Sequence, residues 1–493
     1  MKVLSTGEEF CKLAQDYNVV PVFAELSTDM ETPISAYYKI VGDDVGFILE
    51  SATTEKNFGR YSFIGAQPFA SIAAQCVKSE LTENNKKTTL SGPPLTVLKN
   101  FFEQHSFPPL TDLPPFIGGA VGYQTYESVT TFERIRGKKV PDGMIVAEYL
   151  FCRVMIIMDH VKHVTRLVYL ALNPAENDAK SAYENAVNEL HAVARRLEQK
   201  VVFPEFHASQ ASKKKRSGAD TATTSRGHYI DMVNKAKDYI AAGDIFQVVL
   251  SQQFCRELNQ HPFAIYRRLR QVNPSPYMFY INFGQRQLVG ASPEMLVKVE
   301  DSKVLTCPIA GTRPRGKTPD QDARLAKELL ADDKEKAEHA MLVDLGRNDI
   351  GRVSLPGTVE VVKMLEVGYF SHVMHLISEV TGQLDPKYTA LDVLTACFPA
   401  GTLSGAPKVR AMEIIHELEQ DERGFYAGAI GYIDFRGNLD ACIAIRTLMV
   451  ENGQMISRTG AGIVADSIPE KEYQESLDKG QALFQVMEEA EDQ

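Results

Sequence analysis

Two segments of the sequence carry the same pair of acidic residues. Glu335 and Glu338 lie three residues apart, and Glu472 and Glu475 repeat that spacing near the carboxyl end, four residues before Lys479. In a helix this spacing puts both carboxylates on one face. Carboxylate oxygens are the ligands that Mg²⁺ prefers, so two such helices facing each other could hold the ion. Taken alone, each pair also fits an ordinary solvated helix face.

Both segments have the sequence features of helices. Residues 334–345 are mostly strong helix formers without proline, and Gly346 stands where a carboxyl-terminal cap would be useful. Pro469 is suited to the first turn of the second helix. The sequence therefore predicts two helices that carry the acidic pairs.

Composition indicates a globular protein of enzyme size. The chain has 493 residues, of which 44% are hydrophobic and 24% charged, and length alone suggests two to four domains. A formal net charge of -11 disfavours binding to nucleic acid or to an anionic membrane, so an anionic substrate would need local positive charge. The amino end lacks the apolar core of a signal peptide and no apolar run is long enough to span a bilayer, which predicts a cytoplasmic protein.

The seven cysteines are widely spaced and form no C-x-x-C pair, so neither a zinc site nor a disulfide framework is expected. One break in composition, residues 203–227, contains the basic run Lys213–Arg216 and reads as a linker or surface loop. No internal repeat is visible.

Hydrophobic patterning predicts an α+β fold with largely antiparallel sheets. Strands are expected at residues 34–40, 45–49, 144–158, 164–172 and 245–254, and helices at residues 6–17, 95–104, 179–197 and 229–242.

Glycine-rich segments do not form a nucleotide-binding motif. In Gly401 to Lys408, Ala406 and Pro407 separate the second glycine from the lysine, whereas a P-loop needs them adjacent. Residues 460–462 form either a tight turn or an anion-binding cradle, and the sequence leaves both open.

Several ordered segments resemble the chorismate-utilising enzymes, and within that family the anthranilate synthase branch. The resemblance covers essentially the whole chain, and it is carried by residues 49–52, 60–65, 116–123, 308–316, 338–349, 398–408 and 458–462. It implies a large antiparallel β-sandwich flanked by helices. It also implies an amino-terminal, tryptophan-sensing regulatory region at 1–202, the linker at 203–227, and a chorismate-binding catalytic region at 228–493.

The resemblance assigns roles to the acidic residues. Glu338 and Glu475 correspond to Mg²⁺ ligands, and Glu335 and Glu472 to residues that help through water or hydrogen bonds. Glu294 corresponds to the general acid that protonates the departing C4 hydroxyl of chorismate. His375 corresponds to the histidine linked to elimination of pyruvate, and a core histidine is the alternative. Substrate contacts are expected from Gly311, Thr312, Thr402, Tyr432, Arg446, Gly460, Ala461, Gly462 and Lys479.

Two positions distinguish this chain from other branches. Family members that add water carry a lysine base at the position of Gln247, whereas ammonia is already a nucleophile and needs none. The aminodeoxychorismate branch uses a lysine nucleophile where this chain has Ala310. Both differences favour amination to anthranilate without a lysine-linked intermediate.

The resemblance also implies partners. The sequence has no Gly-x-Cys-x-Gly motif of a glutaminase, so a separate glutaminase subunit should supply ammonia in a hetero-oligomer. Tryptophan should bind as a feedback inhibitor, although the prolines around 274–276 would by themselves explain a turn. The residues that match its site are Glu50, Ser51, Arg60, Pro276, Tyr277 and Met278.

Three hypotheses stay open. The first is the large subunit of an anthranilate synthase. The second, in the same fold, is an isochorismate, salicylate or aminodeoxychorismate synthase. The third, from another class, is an inactive tryptophan-binding regulatory subunit.

Overall fold

The structure is a computed structural model that describes residues 1–27, 30–52, 59–200, 203, 221–369 and 373–491. Helices flank extensive β-structure, and every strand pair in this part of the chain is antiparallel. The α+β fold with antiparallel sheets that the sequence predicts is confirmed.

The first part of the chain supplies a strand-rich layer with helices on its surface. Short 3₁₀ turns occur at Tyr126–Thr131 and Pro174–Asn177. The other elements are β1 (Lys2–Val3), α1 (Gly7–Leu13), β2 (Val19–Leu26), α2 (Pro33–Ile40), β3 (Gly46–Glu50), β4 (Tyr61–Ala74), β5 (Lys78–Glu83), β6 (Lys86–Ser91), α3 (Pro94–Gln104), β7 (Gly119–Gln124), β8 (Ala147–Asp159), β9 (Val164–Leu172) and α4 (Ala179–Leu197).

The second part continues the same sheets and adds the helices that carry the acidic pairs. Its elements are α5 (Arg226–Ala241), β10 (Gln247–Glu257), α6 (Pro262–Val272), β11 (Tyr277–Asn282), β12 (Arg286–Ser292), β13 (Met295–Glu300), β14 (Lys303–Thr306), β15 (Ile309–Pro314), α7 (Pro319–Ala331), α8 (Asp333–Gly351), β16 (Glu360–Tyr369), β17 (Val373–Gln383), α9 (Ala390–Cys397), α10 (Gly401–Ser404), β18 (Gly405–Ala406), α11 (Lys408–Leu418), β19 (Ala429–Asp434), β20 (Leu439–Ile443), β21 (Thr447–Glu451), β22 (Gln454–Ile463) and α12 (Pro469–Glu491).

Two long strands, β4 and β8, are shared between two sheets. They pair along their whole length, with an irregularity between Pro68 and Ala70. On one side of this irregularity they pair with β3 and β9, and on the other side with β5 and β7. A register shift bends a strand, so one strand pair can feed both layers of a sandwich.

Strands from the two parts of the chain are neighbours in these sheets at two places. Strand β3 pairs with β11, and β7 pairs with β19. The ring of Phe116 stacks on that of Tyr432, 4.4 Å between centroids, inside one continuous core. The two parts are therefore held together by backbone hydrogen bonds as well as by apolar packing, while the domain division at 202 and 228 stays a prediction.

The predicted strand at residues 34–40 is wrong, because this segment is helix α2. The Thr32 hydroxyl caps the helix by accepting the N–H of Ser35 at 3.1 Å, and Pro33 occupies the first turn. Ala36, Tyr37 and Ile40 share the buried face. Local capping and helical spacing outweigh the β-branched composition on which the strand prediction depended.

The helix predicted at 334–345 is confirmed and longer than expected. Asp332 caps α8 by accepting the N–H groups of Lys334 and Glu335 at 3.1 and 3.2 Å. Gly346 does not end the helix, which runs to Gly351. A β-carbon at Gly346 would lie 3.1 Å from Cγ2 of Thr306, so this glycine serves close packing of α8 against β14.

The predicted linker is only partly described. Helix α5 begins at Arg226, capped by Ser225, and Thr223 donates its N–H to Gln253 at 2.8 Å, so the end of that segment is anchored to β10. The basic run 213–216 lies outside the described residues. Within the described ranges, no helix has the length and apolar character needed to cross a bilayer.

Candidate active site

The start of β10 lies against the glycine-rich part of β22. Gly460, Ala461 and Gly462 pair with residues 251, 250 and 249 of β10. A β-carbon on Gly462 would lie 2.9 Å from Nε2 of Gln247, and one on Gly460 would lie 2.3 Å from the carbonyl oxygen of Leu250. Larger residues would therefore displace the buried Gln247 amide and the neighbouring strand.

Glu294 is held just after β12 by both its backbone and its side chain. Its carbonyl oxygen accepts the N–H of Ile443 at 3.0 Å, and its Oε1 accepts the hydroxyl of Thr402 at 2.9 Å. Burial raises the pKa of Glu294 to about 7, although the Thr402 hydrogen bond and the positive charge of Lys479 act in the opposite direction. A carboxyl that is partly protonated at neutral pH can act as a general acid.

His375 faces the bulged strand β15. Its Nδ1 lies 2.8 Å from the carbonyl oxygen of Gly311 and 3.1 Å from the hydroxyl of Thr312. Burial lowers the pKa of His375, and the charge of Arg446 lowers it further, while the Gly311 carbonyl opposes both. The imidazole is therefore neutral at physiological pH, and a tautomer with its proton on Nδ1 presents Nε2 as a base.

Gly311 brings this strand close to α8. Its φ of +66° lies in the left-handed region, within an irregularity of register between Ala310 and Thr312. A β-carbon at Gly311 would lie 3.1 Å from Oε2 of Glu335. The same carboxylate accepts a hydrogen bond from Arg313 at 3.1 Å.

The acidic pairs of α8 and α12 lie close enough to repel each other. Burial raises the pKa of Glu338, and the negative charges of Glu335 and Glu475 raise it further. Burial also raises the pKa of Glu472, as does the charge of Glu475, although a hydrogen bond with Ser467 opposes them. The carboxylates of the two helices therefore lie within electrostatic range of each other.

Lysines partly neutralise this acidic cluster. The ammonium of Lys479 lies 2.7 Å from Glu475, and the charges of Lys479 and Lys334 lower the pKa values of both Glu338 and Glu472. Among the described residues, no three acidic, histidine or cysteine side chains are close enough to form a metal centre. The donor set nevertheless fits a hard divalent cation, because mutually repelling carboxylates are stabilised by a positive ion between them.

Arg446 supplies positive charge near His375. It has a left-handed backbone with φ of +52°, and its carbonyl oxygen accepts the N–H of Ala291 at 3.0 Å. Burial lowers its pKa, and in the part of the chain that the structure describes no carboxylate forms an ion pair with its guanidinium. A partly buried guanidinium in this state favours an anionic ligand.

The substrate contact predicted for Tyr432 stays a prediction. Its ring stacks on Phe116, and its charged neighbours, which include Asp440 and Asp434, differ from those of Glu294 and His375. Tyr426 is the tyrosine beside Arg446, since the two groups perturb each other's pKa. The sequence pattern gives no sign of this, because Tyr426 lies in the turn between α11 and β19, where spacing carries no periodicity.

Electrostatic coupling connects the rest of the site. The charge of Lys479 lowers the pKa of Glu294 and of Glu338, and the charge of Glu335 raises the pKa of Glu338. The charge of Glu335 raises the pKa of His375, and the charge of Arg446 lowers it. The residues that these interactions connect are Glu294, Gly311, Thr312, Glu335, Glu338, His375, Thr402, Tyr426, Arg446, Glu472, Glu475 and Lys479. Gln247, Gly460, Ala461 and Gly462 lie together where β10 pairs with β22.

The residues predicted for a regulatory site meet where β3 and β11 pair. Glu50 stands opposite Met278, and the N–H of Ala52 donates to Ser275 at 3.0 Å. The buried Glu50 carboxylate accepts the hydroxyl of Tyr266 at 2.6 Å and pairs with Arg270 at 2.7 Å.

The other predicted regulatory residues lie at or next to the ends of β3, β4 and β11. Ser51 directly follows β3, and Pro276 directly precedes β11. The Tyr277 hydroxyl donates to Asp440 at 2.9 Å. Arg60 pairs with Asp159 at 2.9 Å, and its carbonyl accepts the N–H of His160, whose pKa is lowered by burial and raised by Glu50.

Fold and site together define a class of protein. Residues 47–485 match the family model described as chorismate binding enzyme. The chain belongs to this family.

The individual relatives agree with one branch of the family. The chain is 45% identical over 489 residues to anthranilate synthase component 1 of Acetivibrio thermocellus, covering 98% of both chains. It is 44% identical over 469 residues to the protein of the same name from Thermus thermophilus, covering 94% of this chain and 96% of the relative.

Solved structures share the fold. The crystal structure of anthranilate synthase component I from Streptococcus pneumoniae superposes with a TM-score of 0.75 at 37% identity, covering 93% of this chain and 98% of the other. The menaquinone-specific isochorismate synthase of Escherichia coli superposes with a TM-score of 0.71 at 19% identity, over 98% of both chains. This second likeness concerns the fold alone.

Proposed function

We propose that the chain is the chorismate-converting component of an anthranilate synthase, a lyase that makes anthranilate from chorismate and ammonia. The observation that carries the choice of nucleophile is the buried, neutral amide of Gln247 against Gly462. Water-adding relatives carry a lysine base at this position, whereas an amide cannot take a proton from water but can accept a hydrogen bond from ammonia.

In the first step, ammonia attacks C2 of chorismate while the C4 hydroxyl leaves. Glu294 donates its proton to the departing oxygen, so that water is released and Glu294 becomes a carboxylate. The hydroxyl of Thr402 keeps Oε1 of Glu294 in place, 2.9 Å away. Burial keeps this carboxyl sufficiently protonated at neutral pH.

In the second step, the C2 proton is removed and the enolpyruvyl group leaves as pyruvate, which makes the ring aromatic. We assign the proton transfer to His375, because its neutral imidazole can accept a proton. Arg446, with Tyr426 beside it, holds a substrate carboxylate. The contact predicted for Tyr432 stays a prediction, and Tyr426 is a second candidate. Further substrate contacts are assigned to Gly311, Thr312, Thr402, Gly460, Ala461, Gly462 and Lys479.

We assign Mg²⁺ as the cofactor, with Glu338 and Glu475 as its protein ligands and Glu335 and Glu472 in support. When bound, the ion supplies positive charge for the ring carboxylate of chorismate. The mutual repulsion of these carboxylates supports the assignment.

The ammonia would come from a glutaminase subunit in a hetero-oligomer in the cytoplasm. A test is to combine the purified chain with the candidate glutaminase and compare glutamine with ammonium as nitrogen sources. Glutamine should support turnover only when both proteins are present. Turnover of glutamine by the chain alone would refute the need for a partner.

We also propose that region 1–202 senses tryptophan through Glu50, Ser51 and Arg60, with Pro276, Tyr277 and Met278 from the catalytic region. Convergence of these residues on the β3–β11 pair supports this site. Tryptophan bound there would inhibit by favouring a less active arrangement of the two regions.

Tryptophan should inhibit the unmodified enzyme, and Ser51→Phe should relieve the inhibition by filling the site. Initial rates at increasing tryptophan concentrations measure both effects. Ser91→Phe, on the exposed end of β6, is the matched control and should remain inhibited. If tryptophan does not inhibit the unmodified protein, the site has no regulatory role.

The central experiment supplies chorismate, Mg²⁺ and an ammonium salt to the purified chain and separates the products by chromatography. Anthranilate and pyruvate in equal amounts are expected. Isochorismate, salicylate or aminodeoxychorismate as the sole product would refute the proposal, and absence of turnover would favour a regulatory subunit without activity.

A further inference from the structure

A small cavity lies beside Glu294, on the side of α8 and α10. Its volume is about 50 Å³. Glu294, Thr306, Thr402 and Asp349 supply polar groups to its wall, which is otherwise mainly apolar and includes Leu342. The proposed general acid and a second carboxylate therefore share one cavity.

Asp349 connects this cavity with solvent. It lies near the end of α8 and pairs with Lys408 at 3.1 Å, and the two side chains are 15% and 18% exposed. Burial raises the pKa of Asp349, while Lys408 and Arg352 lower it. The Cys397 thiol also faces this carboxylate, but it stays neutral because burial raises its pKa.

The proposed reaction requires that Glu294 be reprotonated in every cycle. Glu294 gives one proton to the C4 oxygen, and the nitrogen added at C2 later releases one proton on becoming the amino group. The C2 proton is lost to the base, and the pyruvate methyl group gains one. The overall reaction consumes no proton, but Glu294 regains its own only if a proton reaches it from another group or from solvent.

We propose that Asp349 is a proton-relay residue that returns a proton to Glu294 through water in this cavity. The Asp349 carboxylate takes a proton from solvent and gives it to a water molecule, which passes a proton to the Glu294 carboxylate, so that Asp349 returns to its ion pair with Lys408. Only O–H bonds are formed and broken, and no oxidation is involved. This inference rests on the proposed function, because it assumes that Glu294 acts as the acid.

The size and polarity of the cavity suit this role. A cavity needs roughly 10–15 Å³ of water-accessible space to hold one water molecule, which also needs two to four polar partners. The cavity exceeds that volume, and its polar wall offers two carboxylates and two hydroxyls. The Thr402 hydroxyl and the charge of Lys479 stabilise the ionised form of Glu294 until it is reprotonated.

Asp349→Asn separates proton return from all earlier steps. With enzyme in excess over chorismate, Glu294 has exchanged its proton with solvent before the substrate is added, so the rate of the first turnover should stay within about twofold of the unmodified enzyme. With chorismate in excess, kcat should fall by about tenfold or more, and the loss should grow as pH rises. Equal losses in both experiments, or no loss in either, would overturn the relay.

Two further variants distinguish the carboxyl group from the ion pair. Asp349→Glu keeps an acid and should recover kcat to within about threefold of the unmodified enzyme. Lys408→Gln breaks the ion pair but keeps the Asp349 carboxyl, so it too should retain most of kcat. A Lys408→Gln enzyme as slow as Asp349→Asn, or an Asp349→Glu enzyme no faster than it, would overturn the relay. If the unmodified chain does not make anthranilate, it is the proposed function that fails.

Discussion

Two buried glutamates in the same half of the molecule have opposite environments. Glu419 accepts hydrogen bonds from Arg423 at 2.6 Å, from Arg458 at 3.1 Å and from the Ser251 hydroxyl at 2.9 Å. Burial raises its pKa, but the two guanidinium groups outweigh burial and the net shift is downward. Glu294 has the hydroxyl of Thr402 as its side-chain partner, and burial raises its pKa to about 7.

The arginines repeat this contrast. Arg458 donates to Glu419 and to the Ser251 hydroxyl, whereas Arg446 has a lowered pKa and no carboxylate partner among the described residues. Fully paired buried charges hold β10, β22 and the turn after α11 together. Buried charges that the protein leaves under-paired are those that can act on a substrate.

The largest effect on activity should come from replacing Glu294. Glu294→Gln keeps the size of the side chain but removes its transferable proton, so kcat should fall by about 10²- to 10⁴-fold. Chorismate turnover with ammonium measures this, and thermal unfolding should show a stable fold. An enzyme that retains about a tenth of its activity would mean that Glu294 is not the acid.

The pH dependence should follow from the same group. The protonated form is active, so kcat should be highest below pH 7 and fall about tenfold per pH unit above it, at constant free ammonia. Because the pKa is raised in the folded state, Glu294 binds its proton more tightly there than in the unfolded chain. The stability that this proton contributes is therefore lost as pH rises to about 7. Over that pH range the free energy of unfolding should fall less for Glu294→Gln than for the unmodified protein.

Replacing Glu419, the acid that is paired with two arginines, should reduce stability. Glu419→Gln leaves Arg423 and Arg458 buried without a carboxylate, and it should lower the free energy of unfolding by about 3–5 kcal/mol. Urea denaturation followed by circular dichroism measures this loss. Glu417→Gln, on the exposed face of α11, should cost less than about 1 kcal/mol. Equal stabilities of the two variants would remove the distinction between paired and under-paired charge.

A smaller effect is expected where a cation can relieve the repulsion between carboxylates. Glu338→Gln should raise the Mg²⁺ concentration for half-maximal activity by about tenfold or more, with the fold unchanged. A magnesium titration of initial rates measures this shift. Glu328→Gln, an exposed position on α7, should titrate like the unmodified enzyme. An unchanged titration for Glu338→Gln would remove Glu338 from the proposed site.

The smallest effect concerns the two tyrosines. Tyr426→Phe removes a hydroxyl beside Arg446 and should raise KM for chorismate by about tenfold, the equivalent of one hydrogen bond. Tyr432→Phe keeps the ring that stacks on Phe116 and should leave KM unchanged. Michaelis–Menten kinetics distinguish the two. A larger change for Tyr432→Phe would favour the assignment based on sequence.

Much of the fold follows from local signals in the sequence. Helical spacing of Glu335 and Glu338 locates α8, and segments rich in β-branched and aromatic residues locate β8 and β9, because these signals depend on neighbours in the chain. Helix α2 shows the limit of this approach, since its β-branched residues indicate a strand while the Thr32 cap decides for a helix. Local patterns also do not indicate which strands from distant parts of the chain pair with each other.

The site is predicted less completely, for a physical reason. The family resemblance identifies residues such as Glu294 and Arg446, but the degree to which each charge is paired is a property of three-dimensional packing. Tyr426 and Asp349 have ordinary sequence neighbours, and their importance depends on Arg446 and on a cavity that only the folded chain creates. Tyr432 stays a prediction of the resemblance, and Tyr426 is a second candidate that only the folded chain indicates.

The pairing of early strands with late strands has a consequence for biosynthesis. The partners of β3 and β7, which are β11 and β19, are synthesised more than a hundred residues later. Until then, both early strands have an unpaired hydrogen-bonding edge. Long-range pairing of this kind slows folding and favours aggregation of incomplete chains. The nascent amino-terminal half is therefore expected to depend on chaperones until translation is complete, and neither half is expected to be stable when expressed alone.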